Sequence, residues 1–419
     1  MKRLLGVTAL SAILSALRMV SGFAIAKVIA VYTGPSGMAM LGQVQSLVAA
    51  LNGIAAAPAG NGVVRYTAEH HSCGFDACAP WWRASLRWIL WLLASMMLLV
   101  CFAAVPLSAW LFANDQYFWL IIVVAMVLPL SVLNALLASV INGLQDYTRY
   151  IGLGFLSVLV ATAVMLGMIV AYRLTGALLA AAVFPALSGC IMLAGSARQP
   201  WFRLAYWVGK VDRKALSGVG AYVAMAITSA ICTPVALVLI RKILVASADW
   251  NEAGQWQAVY KISEAYLGII TLGLSTYYLP RLSKLQGDEV RREVIDTAKI
   301  IIPIVMALAV AVYLLRDFAI ELLFTRKFQQ ARDLFGVQLL GDVLKIASWL
   351  VAYPMLSRGA ARWFIATEIT FSFLMAILAW LLVPKYGAQG ANLAYALNYF
   401  LYLIFLLCNW KNVMNPRVV

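Results

Sequence analysis

The sequence predicts an all-α, polytopic membrane protein of about twelve transmembrane helices, in two six-helix lobes around a central cationic cavity. Of its 419 residues, 64% are hydrophobic and only 12% are charged. An ordinary soluble domain carries about twice that charged fraction. The net charge of +15 could suggest nucleic-acid binding. However, the basic residues lie mainly in short connections between apolar runs, which argues against a nucleic-acid partner.

The apolar runs are each long enough to cross a bilayer, which takes about 20 helical residues. Several exceed that length, which predicts tilted or kinked helices. The first run follows Lys2 and Arg3 as a signal peptide would, but it is too long and contains Arg18, so we interpret it as an uncleaved helix. The predicted spans are 5–31, 37–66, 88–112, 117–142, 151–172, 176–196, 216–246, 254–280, 297–324, 334–356, 363–383 and 388–410.

The distribution of Lys and Arg predicts the orientation. With both termini on the cytoplasmic side, eighteen basic residues fall in inner loops and ends, and only five in outer loops. Cytoplasmic loops carry this excess in membrane proteins.

A basic and aromatic connection at 199–214 predicts two lobes, 1–198 and 215–419. Its tryptophans and arginines suit either a segment in the headgroup region or an ordinary linker. Weak self-similarity between 26–30 and 241–245, and between Arg65 and Arg281, indicates a parallel repeat. Such a repeat would place a binding site between the halves.

Nine basic residues lie inside predicted spans, where a charge costs about 3 kcal/mol unless it faces protein or water. Five acidic residues share the spans, so the interior is net positive and suited to an anion. The bases are Arg18, Lys27, Arg65, Arg241, Lys242, Lys261, Lys299, Arg316 and Lys345; the acids are Glu264, Asp317, Glu321, Asp342 and Glu368.

Helical spacing indicates which of these bases are expected to face the cavity. Arg18 shares a narrow polar and small face with Ser15 and Gly22, which makes it a candidate cavity residue. Lys27 and Arg65 lie near helix ends, where contact with the cavity and contact with headgroups are both open. The adjacent Arg241 and Lys242 point about 100° apart, so only one of them is expected to face the cavity.

Two further spans carry the same polar stripe. Lys261 and Glu264 lie three residues apart on one, and Asp342 and Lys345 on the other, close enough to pair on one face. Each pair is either a neutralised structural pair or a binding or proton-linked site.

Seven short motifs span nearly the whole chain. They are Thr33-Gly34-Pro35-Ser36-Gly37, Asn61-Gly62-Val63-Val64-Arg65-Tyr66, Arg241-Lys242-Ile243-Leu244, Gly254-Gln255-Trp256-Gln257, Tyr278-Leu279-Pro280-Arg281-Leu282-Ser283, Leu315-Arg316-Asp317-Phe318-Ala319-Ile320 and Gln338-Leu339-Leu340-Gly341-Asp342-Val343-Leu344-Lys345. In these motifs the chain resembles the Wzx flippases of lipid-linked oligosaccharides, in the multidrug/oligosaccharidyl-lipid/polysaccharide (MOP) exporter superfamily.

This resemblance implies alternating-access transport of undecaprenyl-pyrophosphate oligosaccharides of the O-antigen type, or alternatively of the enterobacterial common antigen lipid. No cofactor is expected, although a proton or sodium gradient could drive the cycle through Glu264 or Asp342. Membrane lipids, a polysaccharide polymerase and a chain-length regulator are the expected partners. The residues expected to bind the diphosphate are Arg18, Lys27, Arg65, Arg241, Lys242, Lys261 and Lys345.

Two other functions, and a metal site, fit the sequence less well. A cation-coupled drug exporter needs intramembrane carboxylates in excess, whereas here bases outnumber acids. A membrane polymerase or ligase would carry a long outer loop, and neither a catalytic constellation nor a phosphate loop occurs, so we do not expect an enzyme. The inner loop from His70 to Cys78 contains metal-ligand residues, but their spacing matches no zinc pattern.

Overall fold

The structure is a computed structural model that describes residues 2–410, with the side chains of all but 2–9, 61, 221 and 222. No strand occurs in this range. The helices are α1 (Lys2–Ala55), α2 (Asn61–His70), α3 (Phe75–Phe102), α4 (Ala104–Phe112), α5 (Phe118–Gly143), α6 (Tyr147–Ser196), α7 (Leu204–Trp207), α8 (Arg213–Ser247), α9 (Trp250–Gly273), α10 (Leu279–Leu282), α11 (Asp288–Leu314), α12 (Arg316–Leu323), α13 (Phe335–Ser357) and α14 (Ala361–Cys408).

Three helices are too long for one crossing, and each is broken by one residue with a positive φ. The breaks are at Gly34 (φ 67°) in α1, Arg173 (φ 50°) in α6 and Gly387 (φ 55°) in α14. Among the described residues, eight helical segments are long and apolar enough to span a membrane, and three of them contain these breaks. Counting each broken segment as two and adding the 24-residue α9 gives the twelve spans expected from the sequence.

Several boundaries differ from the sequence prediction. The expected span 37–66 ends at Ala55 and resumes as α2, because Pro58 removes a backbone donor and the chain leaves helical geometry at Gly60. The expected span 297–324 is divided at Leu315 into α11 and α12. The third span begins at Phe75 rather than 88, since its first turns contain Trp81 and polar residues that an apolar window excludes.

Two compact units divide the chain. Unit 1 contains Met1–Tyr32 and Leu41–Val235, and unit 2 contains Thr33–Met40 and Ala236–Val419. The boundary in sequence therefore falls inside α8, one residue after Pro234, and not in the 199–214 connection. The lobes 1–198 and 215–419 stay a prediction.

The core of unit 1 joins the first half of α8 to α2 and α3. Val219 and Val223 pack with Ala84 and the ring of Trp88, whose indole N–H donates to the Leu216 carbonyl at 3.1 Å. This buried contact explains why the start of α8 belongs to unit 1.

The 199–214 connection also packs into unit 1. The Trp207 ring stacks on Trp82 with 5.2 Å between centroids, and Trp201 meets Trp82 edge-on. Arg83 donates to the Ala205 carbonyl at 2.6 Å. The aromatics of this segment are therefore fixed against α3.

Unit 2 is built on α9, α13 and α14. Gly341 of α13 lies against the Tyr395 ring of α14, where a Cβ atom would come within 2.4 Å of the ring. This close approach brings the polar residues of α13 next to those of α14.

Candidate functional site

Unit 1 contains an open cavity of about 590 Å³ between α1, α5 and α6. Arg18 is the one charged residue among its described lining. The polar lining also includes serines and amides, and the apolar lining comes mainly from α6. The lining residues are Arg18, Ser21, Gly22, Ile25, Gln45, Val48, Ala49, Asn52, Asn134, Ala138, Tyr150, Gly154, Ser157, Val158, Met165, Ala181, Phe184, Pro185, Ser188 and Met192.

Arg18 reaches this cavity from the helix face that the sequence predicts. Gly22, one turn further along α1, lines the same space. The side chain of Arg18 is exposed, and in the described part of the chain it makes no hydrogen bond or ion pair. A guanidinium in this state can engage an anion bidentately.

Lys27 and Arg65 do not line the unit 1 cavity. Lys27 is half-buried on α1 and has partners within the protein. Arg65 is exposed on α2 and binds the Glu69 carboxylate at 2.8 Å. The structure therefore places only Arg18 of these three in the cavity.

In unit 2, Arg241 is 1% exposed and donates to the Gln257 side-chain carbonyl at 2.7 Å. This contact ties the second half of α8 to α9. Its neighbour Lys242 is half-buried on a different face of α8, as the 100° step requires. Of the two adjacent bases, Arg241 is the one that faces the interior of the unit.

Lys261 and Glu264 form the pair that the α9 stripe predicts, with 3.4 Å between Nζ and Oε2. Their side chains are 31% and 44% exposed, so the pair is accessible. Glu264 also interacts electrostatically with Arg241 and Lys345. It therefore lies near three bases, consistent with the predicted excess of positive charge.

Asp342 of α13 is fully buried. Its carboxylate accepts hydrogen bonds from the hydroxyl of Tyr266 at 2.7 Å, the hydroxyl of Tyr395 at 2.9 Å and the amide of Gln338 at 3.2 Å. These donors replace the water that a carboxylate loses on burial.

Lys345, one turn after Asp342, has aromatic neighbours. Its ammonium lies 4.9 Å from the Trp349 ring centre, 5.7 Å from Tyr395 and 5.6 Å from Tyr399. The rings offer negative faces to a cation. Sequence reasoning missed Tyr266, Tyr395 and Tyr399, because a tyrosine in an apolar helix gives no polar signal; the i, i+4 spacing of the last two was the one clue.

The remaining intramembrane bases have local partners. Lys299 lies 3.0 Å from Asp296 on the exposed face of α11. The Arg316 guanidinium lies over the Tyr313 ring at 4.1 Å. Asp317 pairs with Arg332 at 3.0 Å. These contacts fit structural roles.

Two of the sequence motifs, 33–37 and 254–257, meet at the start of α9. The Gly254 backbone lies so close to Pro35 that a Cβ atom would come within 2.0 Å of the proline carbonyl oxygen. Gln255 donates to the Lys327 carbonyl at 2.7 Å, and Glu252 accepts from the Ala388 amide at the α14 break. This first turn therefore holds three chain segments of unit 2.

No group of three metal-ligating side chains occurs in the described range.

Comparisons with known proteins support the sequence resemblance. The family described as polysaccharide biosynthesis protein matches residues 84–333, more than half of the chain. The chain is 35% identical to the lipid III flippases of Escherichia coli (strain K12) and Shigella flexneri, over 93% of this chain and 93% of theirs. The chain belongs to this family.

Solved structures show the same fold at low sequence identity. An inward-facing MATE family multidrug transporter of the MOP superfamily matches with a TM-score of 0.77 and 14% identity, covering 96% of this chain and 100% of that one. The lipid II flippase MurJ, in an inward closed conformation, matches with a TM-score of 0.73 and 12% identity, covering 98% and 90%. The predicted all-α, polytopic, MOP-type fold is therefore confirmed.

Proposed function

We propose that this protein is a flippase that moves undecaprenyl-pyrophosphate-linked oligosaccharide repeat units from the cytoplasmic to the periplasmic leaflet of the bacterial inner membrane by alternating access. The observation that carries the proposal is the similarity to two lipid III flippases over 93% of the chain. The sign of the interior charge agrees with an anionic substrate.

The physical task of such a protein is to carry a diphosphate and several sugars across hydrocarbon. Each unit carries its own candidate donors to replace the hydration of the diphosphate: Arg18 in unit 1, and Lys242, Lys261 and Lys345 in unit 2. Arg241 is buried against Gln257, so we assign it a contribution to the positive charge of unit 2 and not a direct contact. The lipid tail needs no protein cavity because it is soluble in the bilayer. We assign headgroup or structural contacts to Lys27 and Arg65, which have partners elsewhere.

Coupling to a proton or sodium gradient is assigned to Glu264 and Asp342. Glu264 is accessible and lies near several bases, so a phosphate that displaces its Lys261 partner would leave the carboxylate able to take a proton. Asp342 is buried, and the hydroxyls of Tyr266 and Tyr395 donate to its carboxylate. A change in the charge of Asp342 would therefore change these hydrogen bonds. No cofactor is required for this cycle.

An O-antigen repeat unit is the proposed glycan, and the enterobacterial common antigen lipid is the alternative. The 35% identity between this chain and the lipid III flippases supports the alternative glycan. A polysaccharide polymerase and a chain-length regulator are the proposed partners in the same membrane. The protein itself transports and does not catalyse a covalent step.

Complementation in two strains tests the proposal. One strain lacks its O-antigen flippase and the other its lipid III flippase, and each expresses the chain at matched abundance. Restored surface glycan in either strain supports the flippase and identifies its substrate. Failure in both, together with no transfer of fluorescent lipid-linked oligosaccharide across proteoliposomes, would disprove it.

A further inference from the structure

The unit 1 cavity has a neutral polar lining that the diphosphate does not explain. Beside Arg18, its polar side chains are three serines, three amides and one tyrosine, with no carboxylate among the described lining residues. One cation suffices for one end of a diphosphate. The neutral groups are Ser21, Gln45, Asn52, Asn134, Tyr150, Ser157 and Ser188.

Ser157 has no hydrogen-bond partner among the described residues, although it is only 6% exposed. A buried serine in a helix ordinarily donates to the carbonyl one turn earlier. Ser131 in α5 does so at 3.3 Å, to Val127. A buried hydroxyl without a partner is costly and calls for a ligand or water.

A second unsatisfied group belongs to Asn52, which also lines the cavity: its side-chain carbonyl oxygen is buried without a donor in the described part of the chain. An acceptor oxygen repels an ionised phosphate and needs an O–H or N–H group. Serine hydroxyls and side-chain amides both donate and accept, as sugar hydroxyls do.

The apolar part of the cavity lining also suits a sugar. Tyr150 and Phe184 offer ring surfaces, which suit the C–H faces of a pyranose ring. At about 590 Å³, the cavity lies within the range of small-molecule sites.

We propose that this cavity is a saccharide subsite, in which Ser157 and Asn52 bind the sugar next to the diphosphate while Arg18 binds the phosphate. The inference rests on the proposed flippase function and adds a site that discriminates the glycan from its carrier.

Binding of two lipids to the full-length protein in nanodiscs tests this site. The probes are undecaprenyl pyrophosphate and the same lipid bearing one N-acetylglucosamine residue. The wild-type protein should bind the sugar-bearing lipid about tenfold more tightly. Ser157→Ala should reduce that ratio by about three- to tenfold, whereas Arg18→Ala should weaken both lipids and leave the ratio unchanged.

Ser131→Ala is the matched control, since Ser131 is 3% exposed but lies outside the cavity lining. It should leave the ratio at the wild-type value. Thermal unfolding separates binding from packing: Ser157→Ala removes an unsatisfied hydroxyl, so it should not lower the unfolding temperature.

Two outcomes overturn the inference in different ways. If the wild-type ratio is one, or if Ser157→Ala leaves it unchanged, the cavity binds water or lipid and the saccharide subsite is wrong, while the flippase proposal survives. If neither undecaprenyl lipid binds better than phosphatidylglycerol, the proposed function itself fails, and the subsite fails with it.

Discussion

The phenolic hydroxyl of Tyr266 donates to Oδ2 of Asp342 at 2.7 Å, joining α9 to α13 inside unit 2. Asp342 also receives the Tyr395 hydroxyl from α14, so one carboxylate links three helices. A buried charge needs such donors to be tolerated. The arrangement therefore ties the packing of the unit to the charge of one residue.

Removing one of these donors should cost stability. Tyr266→Phe keeps the ring and deletes the hydroxyl, so we expect the free energy of unfolding to fall by about 1–3 kcal/mol, as for a hydrogen bond to a charged group. Thermal unfolding of the purified protein in detergent measures the change.

Tyr353→Phe is the matched control, because Tyr353 is half-buried and its hydroxyl has no hydrogen-bond partner among the described residues. It should leave the unfolding temperature nearly unchanged. Equal effects of the two substitutions would show that the Tyr266–Asp342 bond does not stabilise the unit.

The neighbours of Asp342 show which contacts of the site could be predicted from the sequence and which could not. The i, i+4 spacing of Gln338 and Asp342 was visible, and the two side chains are hydrogen-bonded at 3.2 Å. The expected partner of Asp342 was Lys345, and the two charges do interact. The hydrogen-bond donors to Asp342 include two tyrosine hydroxyls, however, and the nearest groups around the Lys345 ammonium include aromatic rings. Those partners come from α9 and α14, and helical periodicity within α13 carries no information about side chains so distant in the chain.

More of the fold than of the candidate site could be predicted from the sequence. Apolar runs located the spans, and the breaks at Gly34, Arg173 and Gly387 fall in or beside the predicted connections, because a turn needs residues outside helical geometry. Only part of the cavity lining could be predicted. The spacing of polar residues in the first span indicated the helix face that carries Arg18, but Ser157 lies in an apolar run of α6 that shows no polar pattern.

The charge of Arg18 should matter more than charge on the surface. We expect Arg18→Ala to abolish glycan export in cells at near-normal protein abundance, because Arg18 lines the cavity and makes no hydrogen bond or ion pair in the described part of the chain. Surface glycan on immunoblots, normalised to protein abundance, measures export. Arg292→Ala, at an exposed residue of α11, is the control and should export normally. Normal export by Arg18→Ala would remove Arg18 from the diphosphate site.

Gly254 should tolerate no side chain. A Cβ atom would approach the Pro35 carbonyl oxygen to 2.0 Å, and both partners are backbone, so Gly254→Ala should separate the start of α9 from the 33–40 segment. We expect loss of most of the folded protein, measured by size-exclusion chromatography. Gly268→Ala on the same helix meets nothing within 4 Å and should stabilise by up to about 1 kcal/mol through helix propensity. Equal yields of the two variants would contradict the close contact.

The orientation can be checked with reporter fusions. Because basic residues concentrate in the predicted inner loops, fusions after Ala113 and Asp249 should be periplasmic, and fusions after Asp146 and Gly209 cytoplasmic. Paired alkaline phosphatase and fluorescent reporters at each position provide opposite signals. A reversed result at any one position would contradict the twelve-span topology.

The Lys261–Glu264 pair distinguishes a structural role from a functional one. Because both side chains are accessible, the pair should contribute less than about 1 kcal/mol to stability, and Lys261→Gln and Glu264→Gln should each fold normally. Any loss of export in these variants then reflects function.

If the pair only neutralises charge, the double variant should regain much of the activity that either single change removes. We expect the opposite: under the proposed coupling role, in which Lys261 exchanges its partner for phosphate and Glu264 accepts the coupling ion, the double variant should be as defective as the worse single variant. Export measured for the four proteins gives the interaction energy of the cycle, and near-complete rescue would reduce both residues to structural roles.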